Sequence, residues 1–280
     1  MKKCIAVMVS ALVLASTAAQ AEHKLLVTDV LGARQFEAQA TMEYFRTQGS
    51  FDTATIGGRS VRNITESRYS VGAGLGHGLE VNASLPYVHA ENTKVQFNGS
   101  AFPSDYDNRS GYGDLSLGAK YALIPEHSGP VALTAGLDLK LDSARRRDAG
   151  TGTTDISPFL AVSKDLGHHT THYASYRTVF RNHDNGDQHI LTLGVEKQFN
   201  EIFTLDVSVD ADFVTASKRF SSAEVYEVEV GGYIQIARNL YVLPAVLAGV
   251  GSHAHNKGTI VTYGSPFVAG GAVSLYYLFN

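Results

Sequence analysis

The stretch EIFTLDVSVDADFV, residues 201–214, alternates from its third residue to its thirteenth. Phe203, Leu205, Val207, Val209, Ala211 and Phe213 fall on one parity, and Thr204, Asp206, Ser208, Asp210 and Asp212 on the other. Two is the side-chain period of a β-strand, whose successive residues point to opposite faces. A helix would scatter the same apolar residues around its axis. The stretch is therefore read as a strand with one apolar face and one acidic, polar face.

The rhythm recurs on both sides of it. LEVNASLPYVH (79–89) sets Leu79, Val81, Ala83, Leu85 and Tyr87 against Glu80, Asn82, Ser84 and Pro86. YGDLSLGAKYALI (112–124) sets Leu115, Leu117, Ala119, Tyr121 and Leu123 against Asp114, Ser116, Gly118 and Lys120. Twelve such segments are expected, at 34–46, 63–75, 79–90, 112–124, 130–142, 154–166, 170–181, 188–199, 202–214, 223–237, 240–252 and 265–279. Each is long enough to cross a membrane as a tilted strand, which takes about 9–11 residues.

The connectors sort by length. Five are short, such as Gly76-His77-Gly78 and Gly167-His168-His169, and six are longer and polar, in strict alternation. That is the pattern of an up-and-down barrel with both ends on the short-turn side, which in the outer membrane faces the periplasm. A soluble β-sandwich also alternates its faces, but it rarely sorts its loops this way. The expected fold is all-β: a transmembrane antiparallel up-and-down β-barrel of about 12 strands. A closed barrel is the one β form whose backbone groups are all paired in lipid.

The chain opens MKKCIAVMVSALVLASTAAQA, with Lys2 and Lys3, a short apolar core and a small-x-small site at Ala19-Gln20-Ala21. This reads as a cleaved signal peptide over 1–21. Residues 22–33 are expected as a periplasmic leader and 34–280 as the barrel. The one cysteine, Cys4, leaves with the peptide, so no disulfide framework is expected. The remainder holds 21 Lys and Arg against 27 Asp and Glu, a balance that excludes nucleic acid as a partner. No run of about 18 apolar residues suggests a membrane helix.

The polar parity of the strands is where chemistry is expected. Asp206, Asp210 and Asp212 neighbour Glu227 and Glu229, and with Glu196 and Asp138 they form an acidic wall. Arg62, Arg68, Lys120, Lys140 and Arg177, with Glu80 and Asp114, share the inward register elsewhere. Either these charges set a cross-lumen field that orients a polar or cationic solute, or they close the interior with salt bridges. Both readings stay open.

Other constellations are weaker. Ser67 faces Tyr87 and lies diagonal to His89 on the outward face, as a lipid hydrolase would need, but no third partner falls in register. His253 and His255, and the cluster His168, His169 and His172, fall short of the ligand set of a zinc site. Neither a metal nor a cofactor is expected. ARRRD (144–148) is either a contact for anionic lipopolysaccharide phosphates or a solvated charge run. Trp is absent, so an interfacial girdle must come from Tyr69, Tyr87, Tyr121, Phe203, Phe213 and Tyr277.

YSVGAGLGHGLEVNASLPYVHA (69–90) and GYGDLSLGAKYALIP (111–125) carry a family resemblance. Gly74-Leu75, Leu85-Pro86-Tyr87 and the run Gly111 to Tyr121 resemble Gram-negative outer-membrane proteins regarded as transporters of the phenol-degradation meta pathway, and LTAGLDLKLDS (133–143) continues the likeness. The resemblance is sharp from about 69 to 142. It implies a barrel that moves small organic molecules, aromatic or apolar, by passive uptake. It brings no catalytic or binding motif, and the chain is expected not to be an enzyme. The alternatives are a non-conducting structural or surface-interaction barrel whose long loops bind partners and, third, an outer-membrane lipid hydrolase.

The ending AVSLYYLFN also resembles the signal read by the outer-membrane assembly machinery. Val273, Leu275, Tyr277 and Phe279 face lipid on a closing strand that must pair with the first near Phe36–Tyr44. Asn280 stands where such signals usually end in Phe. The expected surroundings are outer-membrane lipid and lipopolysaccharide, the assembly machinery during biogenesis, and a small organic solute. The expected location is the outer membrane of a Gram-negative bacterium, reached through the periplasm.

Overall fold

Each alternating segment forms a strand in the computed structural model, which describes residues 28–52, 57–97, 100–101, 109–125, 128–144, 149–182, 186–217, 221–252, 254–255, 262–264 and 266–279. The strands are β1 (Phe36–Asp52), β2 (Gly57–Gly76), β3 (Leu79–Phe97), β4 (Arg109–Tyr112, resuming as Ser116–Ile124), β5 (Ala132–Lys140) and β6 (Asp155–Asp165). They continue as β7 (Thr170–Arg181), β8 (Gln188–Gln198), β9 (Phe203–Val214), β10 (Ala223–Ala237), β11 (Leu240–Gly251) and β12 (Phe267–Phe279). Each pairs antiparallel with its sequence neighbours. β12 also pairs with β1, from Phe36↔Phe279 to Gln48↔Phe267, and so closes the ring. Closure removes the sheet's edges.

Parity divides the residues as expected. Val209, Val228, Val246, Val273 and Leu193 face outward and stay 46–62% exposed. An apolar outer band of this kind is a surface for lipid. The girdle residues Tyr69, Tyr121 and Tyr277 share that face.

Inside, three aromatic side chains lie over cross-strand glycines. Phe45 pairs with Gly270, Phe159 with Gly136 and Tyr173 with Gly194. A Cβ on Gly194 would stand 2.2 Å from Tyr173 Cζ, and one on Gly136 2.2 Å from Phe159 Cε1. Glycine thus makes room for a ring lying flat on the wall.

The structure departs from the sequence reading in three places. First, β1, β2 and β3 run into the stretches expected as long loops, pairing from Gln48↔Val61 to Asp52↔Gly57 and from Val61↔Thr93 to Gly58↔Phe97. Outside lipid neither face needs to be apolar, so the hydrogen-bond ladder continues where the alternation of polarity ends.

Second, β4 breaks at Gly113, Asp114 and Leu115. The connection after β5 packs there instead: Leu141 N–H donates to Leu115 O at 2.9 Å, and Leu115 N–H to Ser143 Oγ at 2.8 Å. A Cβ on Gly113 would meet Ala149 O at 2.9 Å.

Third, residues 28–35 run along the inside of the wall. Thr28 Oγ1 lies 2.8 Å from Ser163 Oγ, and the Thr28 carbonyl accepts from the Thr134 hydroxyl at 2.8 Å. Thr134 and Ser163 are inward positions of β5 and β6. Leu31 is buried, and its N–H donates to Glu80 Oε2 at 2.7 Å. Arg34 N–H and Gln35 O then pair with Gly74, where a Cβ would stand 2.0 Å from Gly32 O. Residues 1–27, with the expected signal peptide and the start of the leader, lie outside the described residues.

Candidate functional site: a lumen with two unlike arcs

The inward positions of β8, β9 and β10 bring the expected acidic wall together except for Asp138, which lies on β5 and pairs with Arg177 instead. Glu196 opposes Asp206, and Asp210 opposes Glu227. Neutral donors hold several of these groups. The Tyr173 hydroxyl donates to Asp206 at 2.9 Å, Gln188 Nε2 to Asp212 at 2.9 Å and the Thr192 hydroxyl to Asp210 at 2.5 Å. Among the described residues, the inward positions of these three strands include neither Lys nor Arg. Neutral donors stabilise a carboxylate without cancelling its charge.

The opposite arc, β2 to β7, carries the cations with their partners. Arg68 Nη2 lies 2.5 Å from Glu66, Lys120 Nζ 3.6 Å from Glu80 and Lys140 Nζ 2.5 Å from Asp155. Arg177 pairs with Asp138 and lies over the Phe159 ring at 4.8 Å. Arg181 Nε joins Asp155 at 3.8 Å. Arg62 is buried between Thr47 and Asn92 of the neighbouring strands. Salt bridges thus fill one arc, and carboxylates held by neutral donors line the other.

Asp114 has a different task from the other expected lumen charges. It sits at the break in β4 and accepts from Ser143 N at 3.2 Å, Ala144 N at 3.1 Å and Thr151 N at 2.8 Å. It pins the connection between β5 and β6. An Asp at such a break satisfies backbone donors that the interrupted ladder leaves without acceptors.

Two features escaped the sequence reading. Phe45, Ile64, Val88, Ala90, Leu247 and Val268 point inward and form a buried apolar cluster on the long-loop side. Below it lies a cavity of about 40 Å³, lined among others by Glu43, Asp206, Glu229, Tyr233, Leu243, Ala245 and Ala272. Glu43 and Glu66 oppose one another on β1 and β2. Their parity was readable in the sequence. The apolar cluster was masked because Tyr44 and Phe45 are apolar on both faces in succession.

Ser67 is diagonal to His89, as expected, and Glu91 Oε1 lies 3.4 Å from His89 Nε2, a partner the sequence reading lacked. Among the described residues, however, no hydrogen bond joins Ser67 to His89. No group of three or more His, Cys, Asp or Glu among the described residues could hold a metal ion. His253 and the basic residues 145–147 lie outside them.

A closed ring of twelve strands, apolar outside and charged inside, defines a transmembrane β-barrel. The chain belongs to the family described as "Putative MetA-pathway of phenol degradation", which matches residues 45–223. No curated protein matches the sequence. Among solved structures it is similar to the COG4313 outer membrane channel from Pseudomonas putida F1, with a TM-score of 0.63 at 12% identity, covering 90% of this chain and 98% of that one. It is also similar to the CymD monoaromatic hydrocarbon channel, with a TM-score of 0.50 at 9% identity, covering 89% and 90%. At these identities the likeness is one of fold.

Proposed function

We propose that the protein is an outer-membrane channel for passive uptake of small organic molecules, aromatic or apolar in character. The observation that carries this reading is the buried inward-facing cluster of Phe45, Ile64, Val88, Ala90, Leu247 and Val268. A lumen serving only hydrated ions gains nothing from apolar residues there, whereas an apolar solute leaving water does. The family, and solved structures of similar fold that include a monoaromatic hydrocarbon channel, support the same reading. In this reading the chain reaches the outer membrane through the periplasm, inserted by the assembly machinery through its last strand. The long loops then meet lipopolysaccharide.

The test is uptake of toluene and phenol into liposomes carrying the purified protein. Uptake well above that of protein-free liposomes is expected. Equal rates with and without the protein, together with no conductance in planar bilayers, overturn the proposal.

A second reading, a non-conducting barrel that acts through its loops, draws on residues 28–35 lying inside the wall. Deleting residues 28–33 separates the two. A channel gains conductance, and a structural barrel stays closed.

A further inference from the structure

We infer that the outward face of β6, β7 and β8, at the short-turn rim, holds the headgroup of an anionic phospholipid on Lys164, His172 and Lys197. The inference rests on the barrel's orientation in the outer membrane, where the short turns face the periplasm and its phospholipid leaflet. It is independent of the solute carried.

On the short-turn half of the outward face, the ionisable residues of the described strands are these three, and all are basic. They stand on neighbouring strands. Lys164 is the cross-strand partner of His172. Lys197 lies diagonal to His172, two residues beyond that residue's partner Val195. Direct partners on one sheet face are about 5 Å apart and diagonal ones about 7–8 Å, within reach of long side chains. The three therefore form one patch, with the histidine between two lysines.

The patch lacks an anion of its own. Lys164 and His172 are exposed, and among the described residues neither makes a hydrogen bond or an ion pair. The interior lysines differ, Lys120 pairing with Glu80 and Lys140 with Asp155. Asp165, next on β6, has the opposite parity, and its Oδ1 accepts from Gly167 N–H at 2.7 Å. Lys197 Nζ donates to His168 O and, at 2.9 Å, to Thr170 Oγ1. Those contacts fix its ammonium at the rim and leave one of its three N–H groups to spare.

A phosphodiester supplies the missing charge and acceptor oxygens. The surrounding face fits the rest of a lipid. Leu160 and Leu193 lie deeper on β6 and β8, outward and exposed, and give acyl chains an apolar bed. Free phosphate would use the cations and leave that bed idle. A choline headgroup brings its own cation, which offsets the attraction of its phosphate for the lysines.

The test is native mass spectrometry of the folded protein released from dodecyl maltoside micelles, titrated with phosphatidylglycerol. Phosphatidylcholine and inorganic phosphate are the comparators. Phosphatidylglycerol should bind more tightly than either. Lys164→Gln should weaken it about fivefold, and Lys164→Gln with Lys197→Gln about thirtyfold, with phosphatidylcholine unchanged. Replacing both lysines by Arg should retain binding. Arg46→Gln, which removes an outward cation from the loop side of β1, should leave binding as it is. Heat-shift mobility on gels establishes that each variant is folded. Phosphatidylglycerol no tighter than phosphatidylcholine, or a double Gln variant no weaker than Arg46→Gln, overturns the site. Inorganic phosphate binding as tightly as the lipid overturns the lipid as its occupant.

Discussion

The backbone N–H of Leu31 donates to Glu80 Oε2 at 2.7 Å, and the other oxygen of the same carboxylate stands 3.6 Å from Lys120 Nζ. One side chain, 1% exposed, thus ties the N-terminal segment to the wall and neutralises a buried lysine. Removing one partner of a buried pair strands the other. Glu80→Ala should lower unfolding stability by about 3–5 kcal/mol. Urea titration followed by far-ultraviolet circular dichroism reads this in a protein without tryptophan. A loss below about 1 kcal/mol would place the pair among ordinary surface bridges.

Asp114 accepts from three backbone N–H groups of the connection between β5 and β6. Asp114→Ala should leave those donors without acceptors, at about 1–3 kcal/mol of local stability. The connection contains Arg145, Arg146 and Arg147, so trypsin reports on it directly. Nicking there should accelerate about tenfold while the barrel stays intact, because cleavage follows the population of the open form. Unchanged nicking removes the pinning role.

Gly194 lies under Tyr173, whose hydroxyl holds Asp206 at 2.9 Å. A methyl group there cannot fit without displacing the ring. Gly194→Ala should cost about 1–3 kcal/mol, as overpacking does. Double substitution with Tyr173→Ala should recover part of that loss. Strict additivity of the two changes would show that ring and glycine do not interact.

The outward parity makes a depth-dependent prediction. Val273, in the middle of β12, is 55% exposed toward lipid. Val273→Arg should cost about 2–4 kcal/mol, the range for a cation at the bilayer midplane. Glu224→Arg, at the loop end of β10, should cost about 0–1 kcal/mol. Equal costs at the two depths would contradict a membrane-spanning orientation of the strands.

The sequence carried the fold because the two faces of each strand see different solvents, and polarity records that contrast with period two. Residues 203–213 show it cleanly, and β9 forms there. Legibility fails where the contrast fails. β1 and β2 keep pairing past Gln48 and Val61, where the sequence no longer alternates in polarity, so nothing in polarity marks their ends. Inward parity identified Asp206, Asp210 and Glu227 as one wall. Parity could not say that Arg177 joins Asp138 across the intervening strand β6, or that Asp114 serves a connection. Such pairings depend on register and on chain that returns from far along the sequence. Residues 28–35 have no period at all, and their place is set by single hydrogen bonds to β2, β3, β5 and β6.

The strand lengths have one more consequence. β1, β2 and β3 hold 17, 20 and 19 residues, while β5 and β6 hold 9 and 11. Eight residues more amount to roughly 26 Å along a strand. Among the described residues the strand ends on the loop side are therefore uneven, tall at β1, β2 and β3 and low at β5 and β6.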